Sequence, residues 1–166
     1  MVNRKYLTAG VIIIAAVASF LILFVDWEAR AVKKHLHTLA KDLEWSAGEN
    51  RLAAAHRIRR LQEGLAENCQ VDIPGYGISR SVDKKDVPTY MLMARNYYKD
   101  LSVDLEDMDI QSIDLPQAQA IATAFVKATG ADGRRNDAVL ALQFRLQKVE
   151  KKWRVTEAKE IEVLER

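Results

Sequence analysis

The 166-residue chain has one cysteine, three prolines and seven glycines. A lone Cys69 cannot close an intramolecular disulfide, so a disulfide-built fold is excluded while the compartment stays open. So little proline and glycine excludes a collagen or a low-complexity chain. Neither sign of charge dominates: 25 Lys and Arg face 23 Asp and Glu, a net +2, with acids and bases interleaved. A concentrated basic and aromatic surface for nucleic acid is therefore missing. The densest basic run, His56 to Arg60, has Glu63 and Glu67 close behind it. It reads as a solvated helix face in preference to a contact with phosphate or acidic lipid. The glycines match no dinucleotide or Walker-type phosphate loop, and there is no Gly-x-Ser-x-Gly elbow. His35 and His37, two apart on a helix, point about 200° apart and cannot share a metal. His56 and Cys69 lack any ligand spacing. No metal, cofactor or catalytic set is expected from these residues.

Long hydrophobic runs are also scarce, and the single exception is informative. Residues 1–6 form a short basic tail, and Leu7 to Val25 then carries nineteen residues without a charge. As a helix this run spans roughly 28 Å, close to the hydrocarbon thickness of a bilayer. Tyr6 and Trp27 flank it as interfacial aromatics do. Ala16-Val17-Ala18 offers a cleavage-like site, but Phe20 to Val25 continue the apolar run, so an uncleaved single-pass anchor is preferred. Arg4 and Lys5 lie nearest the apolar core, and Asp26 and Glu28 come first beyond it. The expectation is an N-terminus inside and residues 26–166 outside, on the periplasmic side of a bacterial membrane.

The remainder changes from helical to strand periodicity. Val25, Ala29, Val32, Leu36, Leu39 and Leu43 make one apolar stripe over residues 26–46. The preferred reading lays this stripe on the domain itself; the alternative is a short dimerisation stalk. A second helix is expected from Glu49 to Glu67, with Leu52, Ala55, Ile58, Leu61 and Leu65 inward. A short strand interrupted by a Pro-Gly turn follows at Cys69 to Ser79, then a helix from Asp83 to Asp100 with Pro88 in its first turn. From Leu101 the period is two. Val103 and Leu105, then Met108 and Ile110, then Ile113 and Leu115 form pairs separated by steps of three, which predicts bulges in a long bent strand. Ala118 to Thr129 reads as a strand with helix as a rival, and Gly130 to Gly133 as a turn. Leu140, Leu142, Phe144 and Leu146 mark a clear strand, Glu150 to Lys152 the next turn. Trp153, Val155, Ile161 and Val163 fall on one parity of the last strand. Strands joined by short turns imply an antiparallel meander, and the class is α+β.

This order, and the ending LQFRLQKVEKKWRVTEAKEIEV, resembles the nuclear transport factor 2-like (SnoaL-like) superfamily over roughly Asp26 to Arg166. The resemblance implies a cone in which about three helices pack on a bent antiparallel sheet. It also implies the superfamily's range, from isomerases and dehydratases to domains that bind without catalysis. Asp72, Tyr76, Tyr90, Tyr97 and His56 are the acid–base candidates, but none aligns with a family motif. The residues expected near a pocket are Trp45, Asp72, Tyr76, Tyr97, Phe125, Phe144 and Trp153. The leading expectation is a membrane-anchored accessory domain that binds a protein partner or self-associates. Its plan is similar to that of the assembly subunit of type IV secretion systems and of actinobacterial proteins of lipid-import complexes. The alternative is a small-molecule-binding or isomerase-like pocket, with an apolar ligand in the cone.

Overall fold

The computed structural model describes residues 27–162. The basic tail, the expected anchor Leu7 to Val25 and Val163 lie outside the described residues. Among the described residues, no helix is long and apolar enough to cross a membrane.

Residues 27–43 are helical (α1), and Val32, Leu36 and Leu39 of the apolar stripe are buried in the domain's own core. The stripe is used intramolecularly, as preferred over the stalk. Helix α2, Arg51–Gly64, begins at Asn50, whose side chain accepts the Leu52 amide at 2.8 Å. That bond satisfies one of the free N–H groups of the first turn. Ile58 and Leu61 turn inward, but Leu52 and Ala55 are exposed, contrary to expectation. The first turn projects beyond the core, so its apolar residues find nothing to cover. The helix also stops at Gly64, because Leu65 already belongs to a strand.

That strand, β1 (Leu65–Ile73), a 3-10 turn (Pro74–Tyr76) and β2 (Ile78–Asp83) form an antiparallel hairpin, where one interrupted strand was expected. Gly77, at φ 65°, closes its turn in the left-handed region that glycine enters freely. A 3-10 turn at Lys84–Asp86 leads into α3, Val87–Tyr97, shorter at both ends than expected. Then come β3 (Tyr98–Asp114), β4 (Gln117–Gly130), β5 (Arg135–Val149) and β6 (Lys152–Glu160). The register of β3 shifts between Glu106 and Asp109 and again between Ile110 and Ser112, at both steps of three in the apolar pattern. Asp107 sits in the first bulge with φ 49°.

The sheet order is β2-β1-β6-β5-β4-β3. The meander β3 to β6 is antiparallel, but β1 runs parallel to β6, so the sheet is mixed where an antiparallel one was expected. The hairpin is placed beside the last strand of the chain, and α3 carries the chain back across to β3. Strand β6 also departs from a single parity. Its register against β5 shifts after Val155, so Ala158 joins Trp153 and Val155 on the inner side. One extra residue reverses every later side chain.

All three helices lie on the same face of this sheet, and the inner positions of all six strands face them. Gly64 of α2 lies directly against α1. A Cβ there would fall 2.3 Å from Leu39 Cδ2, and His35 Nε2 donates to the Gly64 carbonyl at 3.1 Å. Burial lowers the His35 pKa, and the bond to Gly64 partly opposes that shift. Gly64→Ala must push the Leu39 side chain aside. It is expected to destabilise the domain by about 2 kcal/mol, read as a lower urea midpoint at unchanged slope.

Candidate functional site

The space between helices and sheet does not fill completely. A cavity of about 390 Å³ remains, lined by residues of all three helices and all six strands. Its size lies at the lower end of the roughly 300–1,000 Å³ usual for ligand pockets. Leu36 and Leu39 close it from α1, Val87 and Met91 from α3, Leu142 and Phe144 from the sheet. No carboxylate or imidazole among the described residues lines it. The polar groups present are the Cys69 thiol, the Arg80 guanidinium and the Tyr90 hydroxyl. Cys69, Val71 and Val82 are buried or half-buried, whereas Arg80 and Tyr90 are exposed and mark where the cavity meets water.

Of the expected pocket residues, Phe144 alone lines this cavity. Asp72 alternates with the lining residues Val71 and Ile73 and therefore faces the outer side of the sheet. Phe125 lies between the lining residues Ala124 and Val126, so it too points outward. Tyr76 sits on the hairpin turn and Tyr97 ends α3, 58% and 69% exposed. His56 is on the exposed side of α2.

Trp45 and Trp153 are buried but belong to the two ends of the domain. Trp45 Nε1 donates to the Tyr98 carbonyl at 3.0 Å, and the Arg95 guanidinium lies 5.2 Å from its ring. Trp153 Nε1 donates to the buried Glu28 at 3.0 Å, and Lys148 pairs with the same carboxylate. Tyr90, an acid–base candidate from the sequence, and Arg80 both line the cavity, although neither is among the expected pocket residues. The available signal for Arg80 was its two-residue spacing from Val82 on a strand edge.

Two open clefts flank the cavity. One, about 450 Å³, is lined by Glu44, Arg57, Asp100, Lys127, Arg135 and Asp137 among others. Several of these groups are already engaged. Arg57 donates to the Glu44 carbonyl at 2.8 Å, and Asp100 accepts the Ala47 amide at 2.8 Å. The other contains His35, Asp42 and Arg60, and there Arg60 Nε lies 3.1 Å from both oxygens of the buried Asp42. These are bonds that close the domain's ends. The basic run on α2 is likewise engaged: Arg57 pairs with Glu49, Arg59 with Glu63 and Arg60 with Asp42.

No protein-family model matches the sequence, and no curated protein sequence is similar to it. Solved structures share its architecture. A hexachlorocyclohexane dehydrochlorinase of type 2 is 7% identical, with a TM-score of 0.67 over 84% of this chain and 87% of its own. A protein of the nuclear transport factor 2-like family from Streptomyces avermitilis, described as a candidate dehydratase, is 12% identical. Its TM-score is 0.63 over 84% of this chain and 99% of that one. A candidate aromatic ring hydroxylase from Novosphingobium aromaticivorans is 14% identical, with a TM-score of 0.66 over 82% and 90%. The fold is that of the nuclear transport factor 2-like proteins. At these identities the likeness speaks for the backbone, and the chemistry must be read from this chain's own cavity.

Cys69 reports on that cavity directly. Burial pushes its thiol up to about 11, with the Glu157 carboxylate adding to the shift. The rise of two units from 9.0 leaves roughly a hundredfold less thiolate at neutral pH than in an unfolded chain. Because the folded state holds this proton more tightly, its contribution to stability is complete below pH 9 and is lost as the pH rises from 9 through about 11. Iodoacetamide at about pH 8 is expected to alkylate Cys69 at least a hundredfold more slowly in native protein than in urea. Equal rates would show the thiol to be open to solvent.

Proposed function

We propose that this chain is a membrane-tethered binding protein whose cone holds a small, predominantly apolar molecule. The observation that carries the reading is a cavity of about 390 Å³ walled by aliphatic and aromatic side chains from every element of the domain. General acid–base chemistry needs a titratable group within hydrogen-bond reach of the reacting atom. The described lining supplies no carboxylate or imidazole for this; its titratable groups besides Arg80 are the Cys69 thiol and, at the rim, the Tyr90 hydroxyl. Burial keeps Cys69 protonated, so it is a poor nucleophile. An apolar wall favours retention of a ligand through the surface it removes from water. The tether in this reading is Leu7 to Val25, with the domain on the extracytoplasmic side.

Decanol titrated calorimetrically into the full chain in nanodiscs tests the cavity. Ala124→Phe in identical nanodiscs supplies the background, because Ala124 is a buried wall residue and a ring there occupies the space. The wild type is expected to show saturable one-to-one heat beyond that background. Identical heats from two folded proteins would refute the reading. A protein-partner role is a second reading, favoured by Leu92, Met93 and Tyr97, exposed together on α3. Alkaline extraction, which an anchored chain should resist, and sizing in mild detergent check the tether and the partner.

A further inference from the structure

The cavity's rim differs from its walls in one respect. Arg80 is on β2, the edge strand, at the position paired with Val71, and it shares the inner face with Val82 two residues on. Arg80 and Tyr90 are the exposed members of a lining that is otherwise buried or half-buried. The guanidinium lies 6.0 Å from the centre of the Tyr90 ring, at the limit of a cation–π contact. Arg57 and Arg95 share Glu49, Arg60 takes Asp42 and Arg145 takes Glu157, whereas Arg30, Arg51, Arg135 and Arg154 have no carboxylate partner among the described residues, and none of these eight lines the cavity. Among the described residues, Arg80 has no such partner.

An apolar lumen rejects an ionised group, since a charge brought out of water needs a partner. A guanidinium at its mouth supplies that partner for an anion, and its planar fork fits a carboxylate bidentately. We infer that the cavity takes an amphipathic carboxylate, its apolar body among the leucines and its head on Arg80 at the mouth. This rests on the binding role proposed above and adds the polarity and orientation of the ligand. The Tyr90 ring lies beside the guanidinium at the mouth. A competing explanation exists for the same arginine: an inward-pointing charge on an edge strand also discourages unwanted strand pairing. That role requires no ligand and predicts no dependence of binding on head-group charge.

The two are separated with three probes of one chain length: decanoate, decanol and decyltrimethylammonium. Each is titrated into the full chain in phosphatidylcholine nanodiscs at about pH 8, where a carboxylic acid is ionised, against the Ala124→Phe background. Decanoate is expected to bind about tenfold more tightly than decanol, equivalent to about 1.4 kcal/mol, and the cation most weakly. Arg80→Met, which keeps the aliphatic stem, should remove that tenfold advantage and leave decanol within a factor of two. Arg80→Lys should restore part of it. Circular dichroism verifies that each variant is folded. Equal affinity of wild type for decanoate and decanol would overturn the inference while leaving the cavity reading intact. So would an equal loss of both in Arg80→Met. Failure of all three probes to exceed the background would overturn the cavity reading, and this inference with it.

Discussion

Five alanines on the inner face of β4 set the space in which everything else must fit. Ala118, Ala120, Ala122, Ala124 and Ala128 are buried. Their cross-strand partners on β5 are large: Leu146, Phe144, Leu142 and Leu140 face the first four. On the other side, Leu105 and Val103 of β3 stand opposite Ala124 and Val126. The inner surface of the sheet is thus a trough with a shallow floor and tall sides. Close packing is the rule for interiors, so a trough of this kind must be filled from above by helices or remain open. It is filled where Val32 and Leu36 descend into the core, and it remains open around Ala124, where the cavity lies.

A trough that holds only apolar groups requires the charges of the helical layer to be satisfied elsewhere. They are gathered at the domain's ends. Glu28 of α1 meets Lys148 of β5 and Trp153 of β6; Asp42 of α1 meets Arg60 of α2. Glu49 joins Arg57 of α2 to Arg95 of α3, and Arg95 covers the Trp45 ring. Buried ion pairs add little net stability, but losing one member leaves an uncompensated charge costing several kcal/mol. These pairs therefore act mainly to fix how the helices sit on the sheet. Trp45, whose backbone pairs with Leu101 at 3.0 and 2.9 Å, anchors the end of α1 to β3 in the same way.

The order of elements was legible because each carries a local signal. The strongest instance is β3, where two interruptions of a two-residue period announced two bulges that the register contains. Strand β4 was ambiguous because alanine is the best helix former, and only the large residues on both neighbouring strands override that preference. The site was much less legible. Trp45, Phe125 and Trp153 were natural pocket candidates by size, yet burial of an aromatic ring does not say which space it fills. Phe125 and Asp72 are excluded from the cavity by strand alternation alone, once their neighbours are known to face inward. The parallel pairing of β1 with β6 had no sequence signal, since it joins segments more than eighty residues apart in the chain.

The same geometry bears on what the cone can do. Catalysis within a cavity depends on a group that holds or moves a proton beside the reacting atom, and a low-dielectric wall shifts such groups strongly. Here the wall's one titratable thiol is driven toward its neutral form, and the two polar side chains stand at the rim. A ligand of the proposed kind would therefore meet a uniform apolar surface along its body and distinct chemistry at one end only. Such a surface selects by length, width and the placement of a single polar terminus, because a second charged group would have to be buried without a partner. Under the binding role proposed above, specificity is a matter of which end of the ligand stays near water. In that proposal the rim, and Arg80 above all, is where the choice is made.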